Sequence, residues 1–171
     1  WSSLVIGNYE LALKYSKLGI DSSNGKHAYF QNYLNLLSFY FYKKEYQLVI
    51  TNIDILLNHN KLDMNKKTKI IVDFYRLFSL VFLDKDYLQK DSSQLLKAKK
   101  FIKKYKTHNF VNTYKHNLTF YQITNENSYI KTAYKQVQDK AFAMDEELKA
   151  KFLSYPIPKA IVEEYNKVFK K

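Results

Sequence analysis

The sequence predicts an all-α fold built from pairs of antiparallel helices, and three observations support this prediction. The chain has 171 residues, 46% of them hydrophobic and 17% aromatic, so it can bury a substantial core. It contains only three glycines and two prolines, whereas all-β folds depend on these residues for their many tight turns. A tyrosine follows a short polar turn four times, at Tyr9, Tyr46, Tyr87 and Tyr129. A repeat of about 40 residues is typical of stacked helical pairs.

Apolar spacing predicts the first four helices. Small and apolar residues recur at three- and four-residue intervals over 9–20, which predicts a helix that Gly19 ends. Segment 28–42 is apolar almost all round, so we expect an inner helix covered by its neighbours. Segment 46–57 has the i, i+3, i+4, i+7 spacing of one buried face. Segment 70–83 is a second strongly apolar helix, and its length of about 21 Å is too short to cross a bilayer core of roughly 30 Å.

The next helices carry weaker signals. Ser92 or Ser93 can accept a hydrogen bond from the free N–H groups of a helix at 94–105. Segment 110–123 is predicted to be a milder inner helix. Tyr129 then opens the fourth outer helix.

Two further helices are predicted at the carboxyl end of the chain. Asp145 can cap a helix whose first turn holds two glutamates, which the helix dipole favours there. The segment 155–158 breaks the chain, and Pro158 suits the first turn of a last helix that ends near Phe169.

No long linker rich in glycine, serine or proline is present, so the chain is predicted to form one domain over 1–171. Residues 1–143 are expected to hold the repeats and 144–171 the capping helices that an end repeat needs. Because the chain begins at Trp1 and not at Met, we expect it to be the C-terminal part of a larger regulatory or signalling protein. The absence of cysteine excludes disulfides and fits a cytoplasmic location.

The segment from Gly7 to Lys17, Gly-Asn-Tyr-Glu-Leu-Ala-Leu-Lys-Tyr-Ser-Lys, resembles the second half of a tetratricopeptide repeat. In that family a polar turn, an aromatic residue and a small residue recur at these spacings. Ala12 takes the place of the small residue where two helices cross. Later repeats have Val49, Lys90 and Thr132 in this place, and the resemblance covers 1–143.

The resemblance implies a fold and a function. The fold is an α-α superhelix, or solenoid, whose inner helices line a concave groove for an extended peptide or a partner helix. The chain would then be an interaction scaffold for a protein or peptide. The groove residues that the resemblance implies lie at matching places of the inner helices and are Gln31, Asn35, Ser38, Tyr75, Arg76, Ser79, Tyr114, Asn117 and Tyr121. We call these the groove set.

The residues show no motif for catalysis or for a cofactor, so the chain is not expected to be an enzyme and no cofactor is predicted. Neither a glycine-rich phosphate loop nor a Gly-x-Ser-x-Gly turn occurs. The four histidines are His27, His59, His108 and His116. None of them follows another by three or four residues, so they are expected to be scattered surface residues, and no metal site is predicted.

Positive charge supports an alternative function. The net charge is +12, and segment 66–106 holds twelve Lys/Arg against four Asp/Glu. The helix at 94–105 is predicted to place its lysines outward and Leu95, Leu96, Phe101, Ile102 and Tyr105 inward. This basic face, Lys97, Lys100, Lys103 and Lys104, suits nucleic-acid phosphates, an anionic membrane or an acidic partner, or is simply a solvated face.

Arginine occurs once, at Arg76, so binding to nucleic acid would not depend on base sequence. Nucleic acid is therefore the alternative partner, ranked after a protein or peptide. Residues 1–6 are expected to be the stub of an inner helix. The helix that follows would then expose an apolar face, and self-association through this end is a further expectation.

Overall fold

The computed structural model describes residues 9–22, 25–58, 64–84 and 93–170, and all regular secondary structure in these ranges is helical. The helices are α1 (Tyr9–Asp21), α2 (Lys26–Tyr42), α3 (Tyr46–Asn58), α4 (Lys66–Leu83), α5 (Ser93–Tyr105), α6 (Tyr114–Thr124), α7 (Asn127–Phe142), α8 (Glu146–Ser154) and α9 (Pro156–Phe169). The predicted all-α class is confirmed for these ranges. No helix in them combines the length and apolar character that crossing a membrane requires.

The chain divides into two compact units. The described part of the first unit runs from residue 9 to Phe101, and that of the second from Ile102 to residue 170. Helix α5 therefore contributes residues to both.

Helix α2 is the central element of the first unit, because it contacts α1, α3 and α4. Its sequence explains this position, since apolar side chains occupy almost every face of the helix. Leu37 is fully buried, and Phe39 and Phe41 are 3% exposed. Phe41 lies 5.7 Å from the ring of Phe74 in α4. The contact between α2 and α4 joins helices of successive pairs.

The chain reverses between α2 and α3 in a turn whose Lys44 has a φ of 63°. The N–H of Glu45 donates to the carbonyl of Tyr40 at 2.9 Å, which fixes the turn. Tyr46 then stacks on Phe82 with ring centres 5.0 Å apart, and it contacts Phe41 at 5.6 Å. The tyrosine that follows this turn therefore packs at the corner of the helical pair.

The second unit has its own core around α7. The α6–α7 turn is only two residues long, and Asn125 adopts a left-handed conformation with φ 56°, which asparagine tolerates better than most residues. Tyr129 packs edge-on against Phe120 at 5.5 Å. The core consists of Ile130, Ala133, Val137, Ala141, Phe152 and Ile161, contributed by α7, α8 and α9.

Among the described residues, side-chain caps begin three helices. Asn65 accepts from the N–H of Thr68 at 2.9 Å, and Thr113 accepts from the N–H of His116. Asp145 accepts from the N–H of Leu148 at 2.8 Å, as its sequence position predicts. The buried Pro158 lies in the first turn of the last helix, also as predicted.

Three helix boundaries differ from the predicted ones, although each of the three helices is present. Gly19 does not end α1, which continues to Asp21. The helix expected at 110–123 begins only at Tyr114, because the preceding residues form turns that end at the Thr113 cap. The helix expected at 70–83 begins at Lys66, after the Asn65 cap.

The repeat alignment is also displaced in α7. Thr132, expected where helices cross, is exposed, whereas its neighbour Ala133 is fully buried. The buried residues of α7 begin at Ile130, one residue after Tyr129. The buried positions of this helix therefore differ from those that the repeat alignment predicts.

Some sequence predictions lie outside the described residues. These are the turns near 7 and 85, the stub at 1–6, and the positions of Tyr87, Lys90, Ser92 and His59.

Candidate interaction site

The open side of α2 carries polar side chains of the groove set. Gln31 is exposed and Asn35 is half-buried, and both lie on the helix side that also holds the exposed Ala28. Gln31 Nε2 donates to Asn35 Oδ1 at 3.5 Å. The two amides lie one helical turn apart on a largely apolar helix. They keep further donors and acceptors for a partner. We call Ala28, Gln31 and Asn35 the α2 strip.

Three other members of the groove set, one in α2 and two in α4, are buried. Ser38 is 7% exposed, Tyr75 5% and Ser79 0%. Burial raises the pKa of Tyr75 to about 12, and a hydrogen bond with Ser38 acts in the opposite direction. The hydroxyl of Ser79 has no hydrogen-bond partner among the described residues. The hydrogen bond between Ser38 and Tyr75 therefore joins α2 to α4.

Arg76 is turned toward α3. Its Nη2 atom lies 3.1 Å from Oδ1 of Asp54, and both side chains are between 40% and 50% exposed. Arg76 therefore remains accessible, but a partner carboxylate would compete with Asp54 for it. Asp73 lies one turn before Arg76 in α4, and desolvation raises the pKa of its carboxyl.

The remaining members of the groove set lie in the second unit and are held by other helices. Tyr114 is half-buried and contacts the ring of Phe152 at 6.3 Å; burial raises the pKa of Tyr114 to about 12. Asn117 is 2% exposed and donates to Asn112 Oδ1 at 2.9 Å and to Gln136 Oε1 at 3.1 Å. The structure brings Gln31 together with Asn35 and buries Asn117 inside a polar network.

Sequence reasoning missed the buried polar residues at the start of α6. Lys115 is 7% exposed and His116 is 8% exposed, so His116 is not the surface residue that was predicted. Desolvation, together with the nearby charge of Lys140, lowers the pKa of Lys115 to about 8. His116 Nδ1 lies 2.8 Å from Thr113 Oγ1. The only sequence signal was the Thr113 cap position, which places the next residues in the first turn.

A groove of about 610 Å³ follows α7 beside α9. Tyr134 and Tyr165 line it, and their rings are stacked at 3.8 Å with planes only 9° apart. Lys131, Lys135 and Asp139 also line the groove. Its mixed charge favours neither an acidic nor a basic ligand.

The basic face lies where the sequence placed it. Lys97, Lys100, Lys103 and Lys104 are exposed, and so are Lys99 and Lys106. Leu95, Phe101 and Ile102 are buried as expected. Leu96 was predicted to point inward but is 51% exposed, because it lies on the side of the helix opposite that buried stripe.

Metal binding finds no support in the described ranges, where no group of three or more His, Asp or Glu side chains is placed to hold an ion. His108 is exposed in the turn after α5. The side chain of His27 and the whole of His59 lie outside the described residues.

Comparison with known proteins yields no family model, no curated protein and no solved structure that matches this chain.

Proposed function

We propose that this chain is a peptide- or protein-binding module whose helical pairs build a tetratricopeptide-like superhelix. Contacts within the first unit support this arrangement, because α2 contacts both neighbouring helices and also α4 of the next pair. Stacked repeats require contacts of this kind between successive inner helices. In this proposal the whole chain is one domain, and residues 144–171 cap the repeats.

The α2 strip is the observation that carries the proposal. Helix α2 contacts three other helices, and the amides of the exposed Gln31 and the half-buried Asn35 lie together on one of its sides. Amides suit an extended peptide, because each can donate to a backbone carbonyl and accept from a backbone N–H. Exposed amides on an otherwise buried helix therefore favour recognition of a main chain.

The other members of the groove set have two roles in this proposal. Arg76, Tyr114 and Tyr121 are accessible enough to touch a partner. The buried members, Ser38, Tyr75, Ser79 and Asn117, support the positions of the helices. The module acts by binding and not by catalysis, and we propose that it has a regulatory role in the cytoplasm.

The experiment selects peptides from a random display library on the 171-residue chain and measures binding of the selected peptides by calorimetry. The double variant Gln31→Ala, Asn35→Ala is expected to weaken binding about tenfold or more, because each lost hydrogen bond contributes about 1 kcal/mol. The matched control is Gln47→Ala, Gln122→Ala, which removes two exposed side-chain amides from α3 and α6. Equal losses in both double variants, or no selected peptide at all, would contradict the proposal.

A second measurement tests the superhelix itself. Small-angle scattering of the whole chain should match an elongated stack of helical pairs. A profile that fits only a compact sphere of the same mass would rule out the superhelix.

A further inference from the structure

The basic face of α5 differs from the other lysine-bearing helices at the carboxyl end. In α8 and α9, Lys149 lies 3.2 Å from Glu146, and Lys167 lies 3.3 Å from Glu164. Lys159 lies 3.9 Å from Glu163. Helix α5 contains no acidic residue, and none of its lysines forms an ion pair within the described part of the chain. Helix α5 therefore differs from α8 and α9, where acidic neighbours accompany the lysines, and it carries the largest group of lysines on any of these three helices.

The basic face is suited to a surface contact and not to insertion into a lipid bilayer. The apolar stripe of α5 is already buried, with Leu95, Ala98 and Ile102 at most 5% exposed. An amphipathic helix that lies in a membrane needs that stripe for the acyl region. The exposed side of α5 carries the lysines and the single apolar side chain Leu96, and along it Lys97 and Lys104 are separated by a rise of about 10 Å.

A short series of aromatic rings continues the basic face. The ring centres of Tyr105 and His108 lie 5.6 Å apart, and those of His108 and Phe110 lie 5.3 Å apart. His108 is exposed, whereas Tyr105 and Phe110 are half-buried. Lys104 Nζ lies 5.0 Å from the centre of the Tyr105 ring, so charge and aromatic surface are adjacent. We call Tyr105, His108 and Phe110 the ring ladder.

Backbone hydrogen bonds hold the ring ladder in place. The N–H of His108 donates to the Tyr105 carbonyl at 3.0 Å. The His108 carbonyl accepts from Val111 at 2.8 Å and from Asn112 at 2.7 Å. A ring on a fixed turn loses little conformational freedom when a ligand stacks on it.

We propose that the basic face and the ring ladder together bind single-stranded nucleic acid, without preference for base sequence. The lysines contact phosphates, and an unpaired base stacks on the exposed His108 ring. Proteins that bind single strands combine these two features, a positive track and aromatic side chains. A duplex offers the same phosphates but keeps its bases stacked inside, so the ring ladder adds affinity only for a single strand. This proposal goes beyond peptide binding by the α2 strip and uses none of its residues.

The experiment measures fluorescence anisotropy of a labelled oligothymidine of about 20 nucleotides with the 171-residue chain. If four lysines contact phosphates, the logarithm of affinity falls with the logarithm of salt at a slope of about −3. Affinity should then drop by about 50-fold between roughly 50 and 200 mM salt.

Two sets of variants separate the local site from overall charge. Lys97→Gln, Lys100→Gln, Lys104→Gln should lower affinity by about tenfold or more at low salt and flatten the salt dependence. The matched control, Lys149→Gln, Lys159→Gln, Lys167→Gln, removes the same charge from α8 and α9 and should change affinity by less than about twofold. Equal losses in both triple variants would overturn the proposal, because net charge alone would then explain binding.

The ring ladder has its own test. His108→Ala should weaken binding of the single strand by about tenfold. The same variant should bind a duplex of about 20 base pairs as tightly as the wild type does. A duplex bound as tightly as the single strand, with no effect of His108→Ala, would overturn the single-strand assignment. Binding to phosphatidylserine vesicles without binding to the oligonucleotide would overturn it in favour of a membrane, and no binding at about 50 mM salt would overturn it outright.

Discussion

The hydroxyl of Tyr121 in α6 donates a hydrogen bond of 3.1 Å to Oε1 of Glu164 in α9. Lys167 lies 3.3 Å from the other oxygen of the same carboxylate. Tyr121 belongs to the groove set, and α9 lies in the segment predicted to cap the repeats. The last helix therefore holds a side chain that the family resemblance assigns to the groove.

Removing this hydroxyl should destabilise the second unit. Tyr121→Phe is expected to lower the free energy of unfolding by about 1 kcal/mol, since a hydrogen bond to a charged acceptor is lost at a half-buried position. Glu164→Gln keeps an acceptor and should cost less. Urea denaturation measures the free energy of unfolding of both variants. Tyr155→Phe is the control, because the Tyr155 hydroxyl makes no hydrogen bond to the described residues; an equal loss there would refute the assignment.

Gly19 allows α1 and α2 to approach closely. A Cβ at this position would lie 2.6 Å from Cγ of Asn32, so Gly19→Ala must displace that side chain. The gain in helix propensity, about 1 kcal/mol, should therefore be cancelled in the single variant. In an Asn32→Ala background the gain should reappear. Thermal and urea unfolding of the four proteins of this double-mutant cycle measure the change in the free energy of unfolding. Additive effects of the two substitutions would show that the side chain of Asn32 does not oppose a Cβ at position 19.

His116 should make the chain less stable as the pH falls. Burial, reinforced by the neighbouring Lys115 charge, lowers the pKa of His116 to about 3, whereas an unfolded histidine titrates near about 6.5. Between these values the unfolded chain binds more protons than the folded chain. The free energy of unfolding should decrease from about pH 6.5 downward, by at most about 1.4 kcal/mol per pH unit from this residue.

Comparison with variants isolates the His116 contribution, because carboxylates also titrate in this range. His116→Leu should show a shallower decrease between about pH 6.5 and 4. Parallel curves for the wild type and His116→Leu would mean that His116 is protonated equally in both states.

The exposed apolar face of α1 should mediate self-association. Tyr15 is 59% exposed and Leu18 is 51% exposed, and they lie one turn apart on the same side. We expect a dimer at about 100 µM in sedimentation velocity, because exposed apolar patches tend to find cover. Tyr15→Lys, Leu18→Lys should restore the monomer. Leu48→Lys, Ile55→Lys on α3 is the matched control, and a wild-type monomer at every concentration would contradict the prediction.

Local features of the sequence were sufficient for the helices. The 46–57 spacing and the Asp145 cap correctly predicted α3 and the start of α8, because both signals act within a few residues. Gly19 shows the limit of such signals. Glycine is a common helix terminator, and only the proximity of Asn32 in another helix explains a glycine inside α1.

The sequence by itself determined the all-α class and the basic face of α5, since periodicity and charge are properties of one helix at a time. The tertiary structure decided which polar residues are buried and which are accessible. Asn117 and Gln31 are both amides on predicted inner helices, but Asn117 donates to Gln136 of α7 whereas Gln31 is exposed on α2. His116 and His108 differ in the same way, because His116 is buried and His108 is exposed. Burial depends on partners that are distant in the chain, and helical periodicity contains no information about them.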